Sequence, residues 1–101
     1  MIVEYTRYRI PSERRESFVN AYEQAAGYLS ASPYCMAYEL SHCVDERERY
    51  ILRIEWKSVQ DHLEGFRKGP DFQKFVRIIQ PFIHDIEEMK HYELTEIVHW
   101  K

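Results

Sequence analysis

The 101-residue sequence predicts a single α+β domain in which helices cover one face of a four-stranded antiparallel sheet. Two segments alternate apolar and polar residues with a period of two, and a short polar loop joins them, which is typical of a β-hairpin. Segments before and after this hairpin repeat apolar residues at helical spacing. No Pro-, Gly- or Ser-rich linker interrupts the chain, so residues 1–101 are interpreted as one domain.

The first strand and the first helix follow from composition and spacing. Residues 2–10 are β-branched and aromatic, which predicts a strand that stops at Pro11. Ser12 has a side chain suited to a helix cap, and acidic residues within 13–16 favour the first helical turn. The helix ends near residues 30–33, and we expect its one apolar stripe to lie on the sheet. That stripe consists of Phe18, Tyr22, Ala25, Ala26 and Leu29.

The central hairpin is predicted from residues 35–42 and 50–56, which alternate in polarity on either side of the polar segment 44–48. Their more apolar faces are expected to look at the helices. On the first strand that face holds Met36, Tyr38, Leu40 and His42; on the second it holds Tyr50, Leu52, Ile54 and Trp56.

The second half of the chain supplies a broken helix and a last strand. Ser58 is predicted to cap a helix that Gly69-Pro70 stops, and a further helix runs from Asp71 to Pro81. Residues 86–94 keep β character despite several charges. The order β-α-β-β-α-β is the split β-α-β, or ferredoxin-like, arrangement.

Charge and composition limit the partners. The formal net charge of −3 and the interleaving of arginines with glutamates argue against a nucleic-acid surface. No apolar run is long enough for a membrane span, and no leader pattern is present, so a cytoplasmic protein is predicted. Cys35 and Cys43 lie at opposite ends of one strand, too far apart to bridge each other, and are interpreted as reduced thiols.

No motif predicts a metal or a cofactor. The sequence has no Gly-rich phosphate loop, no Cys-x-x-Cys pair, no His-Glu-x-x-His and no nucleophile elbow. Its five histidines stand at spacings that no common metal motif uses. Neither metal ligands nor a bound cofactor are therefore expected.

Several residues each allow two interpretations. Trp56 at its strand end is either a core residue or a pocket wall, and His62 on the next helix is either a half-buried packing residue or an acid/base at neutral pH. Tyr5 and Arg7 could present a phenol and a cation to an anionic or enolic ligand if their face lines a pocket. The alternative for the first-strand arginines is solvation or pairing with Glu39 and Glu55.

Residues 51–82 carry a recognisable order of features: a strand ending in Trp56, a helix beginning at Ser58, a Gly-Pro break and a restart at Asp71-Phe72. This order resembles the antibiotic biosynthesis monooxygenase family of small dimeric α+β proteins, over roughly residues 2–94. The resemblance implies a homodimeric α+β barrel, with the C-terminal residues 95–101 reaching across to the partner. Trp100, apolar and near the end of the sequence, agrees with that expectation.

The resemblance also implies oxidation of a phenol or quinol and excludes haem degradation. Cofactor-independent members oxidise phenols or quinols by holding a deprotonated substrate in a desolvated pocket. The catalytic asparagine of that branch has no counterpart, because the only asparagine, Asn20, is on the first helix. The haem-degrading branch is excluded, since its Asn, Trp and His positions hold Arg7, Phe66 and Val76 here.

Two functions from different classes follow. As an enzyme, the protein is a monooxygenase for a small aromatic phenol or quinol held between helices and sheet, with His62 or Tyr5 handling the proton. The substrate-binding residues are then Trp56, Phe66, Phe72 and Arg7. As a binding module of the same fold, it holds a small hydrophobic ligand without turnover or acts through its dimer surface, and the missing family triads favour this alternative.

Overall fold

The computed structural model describes all residues 1–101. Its regular elements are β1 (Ile2–Arg9), α1 (Arg15–Ala31), β2 (Cys35–His42), β3 (Arg49–Trp56), α2 (Pro70–Ile79) and β4 (Ile86–Glu93). Short 3₁₀ helices occupy Ser12–Arg14 and Gln80–Asp85, and a π-helix occupies Asp61–Phe66. None of the helices combines the length and the apolar character that crossing a membrane would require.

The sheet has the order β2-β3-β1-β4, and each neighbouring pair is antiparallel. This confirms the predicted four-stranded ferredoxin-like α+β fold. The order places β1 and β3 in the centre, so Glu4 of β1 lies opposite Ile54 on one side and His91 of β4 on the other. Residues distant in sequence thereby become neighbours on the face that the helices cover.

The hydrophobic core fills the space between this face and the helices. Alternate residues of β3 are buried, as the sequence pattern predicts, and so is most of the apolar stripe of α1. Ala26 is only partly buried, at the edge of that stripe. The core cluster comprises Tyr8, Ile10, Phe18, Tyr22, Ala25, Leu29, Tyr50, Leu52, Ile54, Trp56, Phe66, Phe75, Ile79 and Phe82.

The two predicted helix caps differ in outcome. Ser58 caps as expected, since the backbone N–H of Asp61 donates to its hydroxyl oxygen at 3.0 Å. The prediction for Ser12 is wrong: its hydroxyl lies 3.5 Å from the carboxylate of Glu13, and α1 begins at Arg15. A 3₁₀ turn precedes α1, and in it the backbone N–H of Arg14 donates to the carbonyl of Pro11. A backbone hydrogen bond thus takes the place of the predicted side-chain cap.

At the start of β2 a β-bulge places two residues on the faces opposite to those predicted from the sequence. Cys35 pairs with Trp56 and Ala37 with Glu55, so Met36 is an extra residue on its strand. Cys35 consequently packs against the core, and Met36 is exposed. The simple alternation predicted from sequence resumes at Tyr38, which pairs with Ile54.

Candidate active site

A cavity of about 170 Å³ lies between the covered face of the sheet and the helices. Its lining is mainly apolar and aromatic, with contributions from β1, β3, α1, α2, β4 and the π-helix. Polar groups are confined to a few positions in the wall, which is the usual composition of a small-molecule site. The polar lining residues are Glu4, Thr6, Tyr8, Tyr22, His62 and Arg67.

Glu4 is the central polar residue of the cavity wall. It lies on the covered face of β1 and is only 4% exposed. The indole N–H of Trp56 donates to its Oε1 at 3.1 Å, and the hydroxyl of Thr6 donates to its Oε2 at 3.0 Å. Two neutral donors thus compensate a buried carboxylate for part of its lost hydration.

His62 lies beside Glu4 and is hydrogen-bonded to a second histidine. Its Nε2 lies 3.3 Å from Glu4 Oε1, and its Nδ1 lies 2.6 Å from Nε2 of His91, within hydrogen-bond distance. The imidazole also stacks on Trp56, with ring centroids 4.6 Å apart and planes 14° apart. His91 is positioned by the pairing of β4 with β1, and 22% of its side chain is exposed.

Burial keeps His62 neutral near pH 7. The pKa of His62 is lowered from 6.5 to about 4, chiefly because the buried imidazolium would lose its hydration. Repulsion from His91 and Arg67 lowers this pKa further. The contact between His62 and Glu4 is therefore one between a neutral ring and an acidic side chain, not an ion pair.

The π-helix fixes the position of His62 in the wall. Its wider turn is marked by the backbone N–H of Arg67, which donates to the carbonyl of His62 five residues earlier at 3.1 Å. His62 and Phe66 are both buried on its inner side. Gly65 permits this packing, because a Cβ there would lie 2.7 Å from the ring of Tyr34.

A second polar group lies elsewhere in the wall. The hydroxyls of Tyr8 and Tyr22 share a short hydrogen bond. Burial raises the pKa of Tyr8 to about 12 and raises the pKa of Tyr22 well above 10. Both side chains therefore remain protonated phenols, of which one donates to the other and the second keeps its O–H free to donate.

The structure brings four of the sequence-predicted site residues together. His62, Trp56, Phe66 and Phe72 all line the cavity. Phe66 forms edge contacts with Phe72 and Phe75, at centroid distances of 5.7 and 5.6 Å. These phenylalanines therefore pack in the core, as predicted, and also line the cavity.

The predicted pocket positions of Tyr5 and Arg7 are wrong. Both alternate with Glu4 and Thr6 along β1, so they lie on the opposite face of the sheet. The ring of Tyr5 contacts Tyr92 edge to face, with centroids 5.4 Å apart, and Arg7 lies 3.7 Å from the carboxylate of Glu88. Arg7 therefore pairs with a carboxylate of β4, and not with Glu39 or Glu55 as the alternative interpretation of the sequence proposed.

Sequence reasoning missed Glu4, His91, Tyr8 and Tyr22. A glutamate inside a strand of β-branched and aromatic residues is a signal that could have identified Glu4, because buried carboxylates need specific partners. His91 carries no such signal. Its role depends on strand pairing with Glu4, 87 positions earlier in the chain.

The same three side chains are close enough together to hold a metal ion. Glu4, His62 and His91 each offer a ligand atom within 4.8 Å of the others. Nε2 of His91 lies 2.6 Å from Nδ1 of His62 and 3.9 Å from Oε1 of Glu4, so the three side chains form one compact cluster. A shared ion would require the hydrogen bond between the two histidines to break.

Comparisons with known proteins agree with this class of fold, a small α+β domain with a ligand-sized cavity. The sequence profile of the antibiotic biosynthesis monooxygenase family matches residues 1–78. The uncharacterized protein YczJ of Bacillus subtilis (strain 168) is 28% identical over 93 residues, which span 92% of this chain and 98% of YczJ. The chain belongs to the antibiotic biosynthesis monooxygenase family.

Solved structures show the same fold at lower sequence identity. A Bordetella bronchiseptica protein assigned as an antibiotic biosynthesis monooxygenase superposes with a TM-score of 0.77 at 22% identity, over 93% of this chain and 96% of that one. A conserved protein of Methanosarcina mazei Go1 gives a TM-score of 0.77 at 15% identity, over 93% and 92% of the two chains. At these identities the likeness concerns the fold alone.

Proposed function

We propose that the protein is a monooxygenase that oxidises a small phenol or quinol with molecular oxygen in this cavity. One observation carries the proposal: a mainly apolar, ligand-sized cavity has a buried carboxylate in its wall, next to a histidine. Membership of the antibiotic biosynthesis monooxygenase family supports the reaction class. The chemistry needs no cofactor, because a desolvated phenolate is itself electron-rich enough to react with oxygen.

Glu4 is the proposed proton acceptor. A phenol in the cavity transfers its O–H proton to the Glu4 carboxylate, and the phenolate then reacts with O₂ at a ring carbon. One oxygen atom stays on that carbon, and the other leaves as water with the phenolic proton and the hydrogen lost from the carbon. The ring is thereby oxidised to a quinone, and O₂ is reduced.

His62 acts through Glu4 in this mechanism. Its Nδ1 is hydrogen-bonded to His91, and its Nε2 lies 3.3 Å from the carboxylate of Glu4, which is the better proton acceptor of the two. The direct proton-transfer role predicted for His62 is accordingly proposed to be an indirect one. Trp56, Phe66 and Phe72 serve as apolar walls that hold the ring and exclude water.

The volume of the cavity favours small substrates. At about 170 Å³ it is close to an engineered cavity of about 150 Å³ in another protein that binds benzene. A one-ring quinol fits this volume, whereas a three- or four-ring phenol would require the walls to move. The O–H of the Tyr8–Tyr22 pair that is not used between the two rings is available to a second oxygen of such a substrate.

A non-catalytic ligand-binding module is the second candidate function. The observation that favours it is the structural use of Glu4, each of whose two oxygens accepts one hydrogen bond, from Trp56 and Thr6. A carboxylate held in this way also serves as a structural anchor, in which case the cavity binds a hydrophobic ligand without turnover.

A homodimer is part of the proposed assembly. Ile97 and Trp100 of the C-terminal segment are 92% and 84% exposed, which is unusual for large apolar side chains. On the uncovered face of the sheet Arg53 and Glu55 form a 2.8 Å ion pair and are only 22% and 18% exposed. Both features suit a surface that a second copy covers.

Oxygen uptake tests the proposed reaction. Metal-free protein is incubated with one-ring quinols, and uptake is compared with the uncatalysed autoxidation rate. We expect saturable uptake that Glu4→Gln reduces by about 10²-fold or more, the range of a lost general base. Glu88→Gln, on the opposite face, is the control and should retain activity.

The outcomes separate the two functions. No uptake by the wild type, together with saturable quinol binding, would support the binding module and overturn the enzyme. Uptake that Glu4→Gln leaves unchanged would remove Glu4 from the mechanism.

A further inference from the structure

Glu4 is a buried carboxylate whose charged-group contacts are both with histidines. It is 4% exposed, and Trp56 and Thr6 each donate one hydrogen bond to it. The Nε2 atoms of His62 and His91 lie 3.3 and 3.9 Å from its Oε1, and no lysine or arginine forms an ion pair with it. A buried negative charge beside two imidazoles is a setting that a bound cation would stabilise.

We propose that Oε1 of Glu4 and the Nε2 atoms of His62 and His91 form a binding site for a divalent transition-metal ion, with Zn²⁺ as its representative. Two imidazoles and one carboxylate are a ligand set that open zinc sites use, and imidazole also suits Fe²⁺, Co²⁺ and Cu²⁺. Glu4 and His62 both line the cavity, so an ion that they share lies at the cavity wall. The site goes beyond the proposed oxidation, which needs no metal.

The spacing of the donor atoms is close to that of a zinc site. Two ligand atoms that are each about 2.0–2.2 Å from a tetrahedral Zn²⁺ lie about 3.3–3.6 Å from one another. The distance from Glu4 Oε1 to His62 Nε2 is 3.3 Å, and that from Glu4 Oε1 to His91 Nε2 is 3.9 Å. Ligand atoms of the whole set lie within 4.8 Å of one another. Adjustments below about 1 Å at these two contacts therefore bring the donors to coordination distance.

Neighbouring side chains hold two of the three ligands in place. Thr6 donates to Oε2 of Glu4 at 3.0 Å, which leaves Oε1 as the ligand atom. Trp56 donates to Oε1 itself, but a carboxylate oxygen has a second lone pair for an ion. The indole of Trp56 also stacks on His62, with planes 14° apart, and so supports the orientation of that ring. Such partners of the ligands commonly strengthen metal binding.

His91 is the ligand that has to move. Its Nε2 lies 2.6 Å from Nδ1 of His62, and this hydrogen bond is exchanged for the bond to the ion. His91 lies on β4, at the edge of the sheet, and 22% of its side chain is exposed. The ring therefore has room to turn, and the exposed side gives an ion access from solvent.

The first test is a titration of the wild-type protein with Zn²⁺ alone. Calorimetry should show one ion per chain, reversed by EDTA. In protein with ¹⁵N-labelled histidine, the ring nitrogens of His62 and His91 should shift together over that equivalent. The other three histidines, His42, His84 and His99, should keep their shifts. This measurement needs no variant, so it does not depend on whether a substituted protein folds.

Variants then identify the ligands by affinity. Glu4→Gln and His91→Gln should each weaken Zn²⁺ binding by about tenfold or more, because even the loss of a residue that orients a ligand commonly costs that much. His84→Gln, at an exposed histidine outside the site, is the matched control and should bind as the wild type does. Zn²⁺ should raise the Tm of the wild type and of His84→Gln, and raise that of His91→Gln less.

Co²⁺ distinguishes this site from the two thiols. Bound by imidazole and carboxylate, it should give visible d–d bands without the near-ultraviolet charge-transfer band that ligation by Cys35 or Cys43 would add. That thiolate band, unchanged ring shifts of His62 and His91, or equal affinity of His91→Gln and the wild type would mean an adventitious ion only and overturn the proposal. Failure of oxygen uptake would leave these metal-binding results intact, so the two proposals fail separately.

Discussion

A carboxylate is costly to bury, and the surroundings of Glu4 show how the protein tolerates one in a cavity wall. Trp56 and Thr6 donate to its two oxygens, and His62 faces the same side of the carboxylate as Trp56. Trp56 serves two purposes, because it is fully buried in the core and also contacts both Glu4 and His62. Packing and site geometry therefore depend on the same side chains.

The depressed pKa of His62 predicts a dependence of stability on pH. Its folded pKa of about 4 lies below the ordinary value of 6.5, so the unfolded chain binds more protons between these values. The free energy of unfolding should be highest above pH 6.5 and fall as the pH drops toward 4. The His62 contribution to this fall is about 3 kcal/mol at most.

Urea unfolding at a series of pH values measures this contribution. His62→Gln removes it, so the variant should lose less stability than the wild type between pH 7 and pH 4. His84→Gln, at an exposed position, should follow the wild-type curve. Parallel curves for the wild type and His62→Gln would show that burial of His62 does not oppose its protonation.

At the scale of elements, the site depends on departures from regular structure. The π-helix Asp61–Phe66 carries His62 into the wall, and the bulge at Met36 turns Cys35 toward the core beside Trp56. Regular β1 supplies the remaining groups by strict alternation, with Glu4, Thr6 and Tyr8 all buried on one face.

Two glycines provide a matched test of how tightly the π-helix packs against Tyr34. A Cβ at Gly65 would lie 2.7 Å from the ring of Tyr34, whereas a Cβ at Gly27 in α1 meets nothing within 4 Å. Gly65→Ala should therefore destabilise the fold by about 1–3 kcal/mol through overpacking. Gly27→Ala should stabilise it by up to about 1 kcal/mol, because alanine is the better helix former.

Thermal or urea unfolding of both variants checks this prediction. Adding Tyr34→Ala to Gly65→Ala should recover part of the loss if the clash is its cause. Equal stabilities of the two glycine variants would contradict the packing argument.

At the scale of the whole molecule, the two faces of the sheet differ. The covered face holds the core and the cavity, while the other face carries ion pairs and aromatic contacts such as Tyr5 with Tyr92. Lys90 and Glu88 add a 3.1 Å pair to that face. Such a half-buried surface of balanced charge is consistent with the homodimer proposed above.

Sedimentation velocity tests the dimer through the C-terminal segment. The wild type should sediment as a dimer, and Trp100→Ser should weaken association by about 2 kcal/mol, or roughly 30-fold, as expected for a buried aromatic anchor. Val44→Ser, at an exposed apolar residue of the β2–β3 loop, should leave association unchanged. A monomeric wild type would refute the dimer.

The order of the elements and most of the core follow from local patterns in the amino-acid sequence. Alternation in β3 and the stripe of α1 are local patterns, because each element must bury one face wherever it packs. The same patterns placed His62, Trp56, Phe66 and Phe72 on buried faces. For β1 the pattern failed, since apolar and aromatic residues occupy both of its faces and Tyr5 could not be distinguished from Tyr8.

The contacts among the polar groups of the site depend on the folded arrangement of the elements. Glu4 and His91 become neighbours through the pairing of β1 with β4, and His62 reaches them from the π-helix. These contacts join residues far apart in the chain, so no local spacing records them. The physical reason is that secondary structure follows from periodic burial within a segment, whereas a polar site is assembled by the strand order and register of the folded sheet.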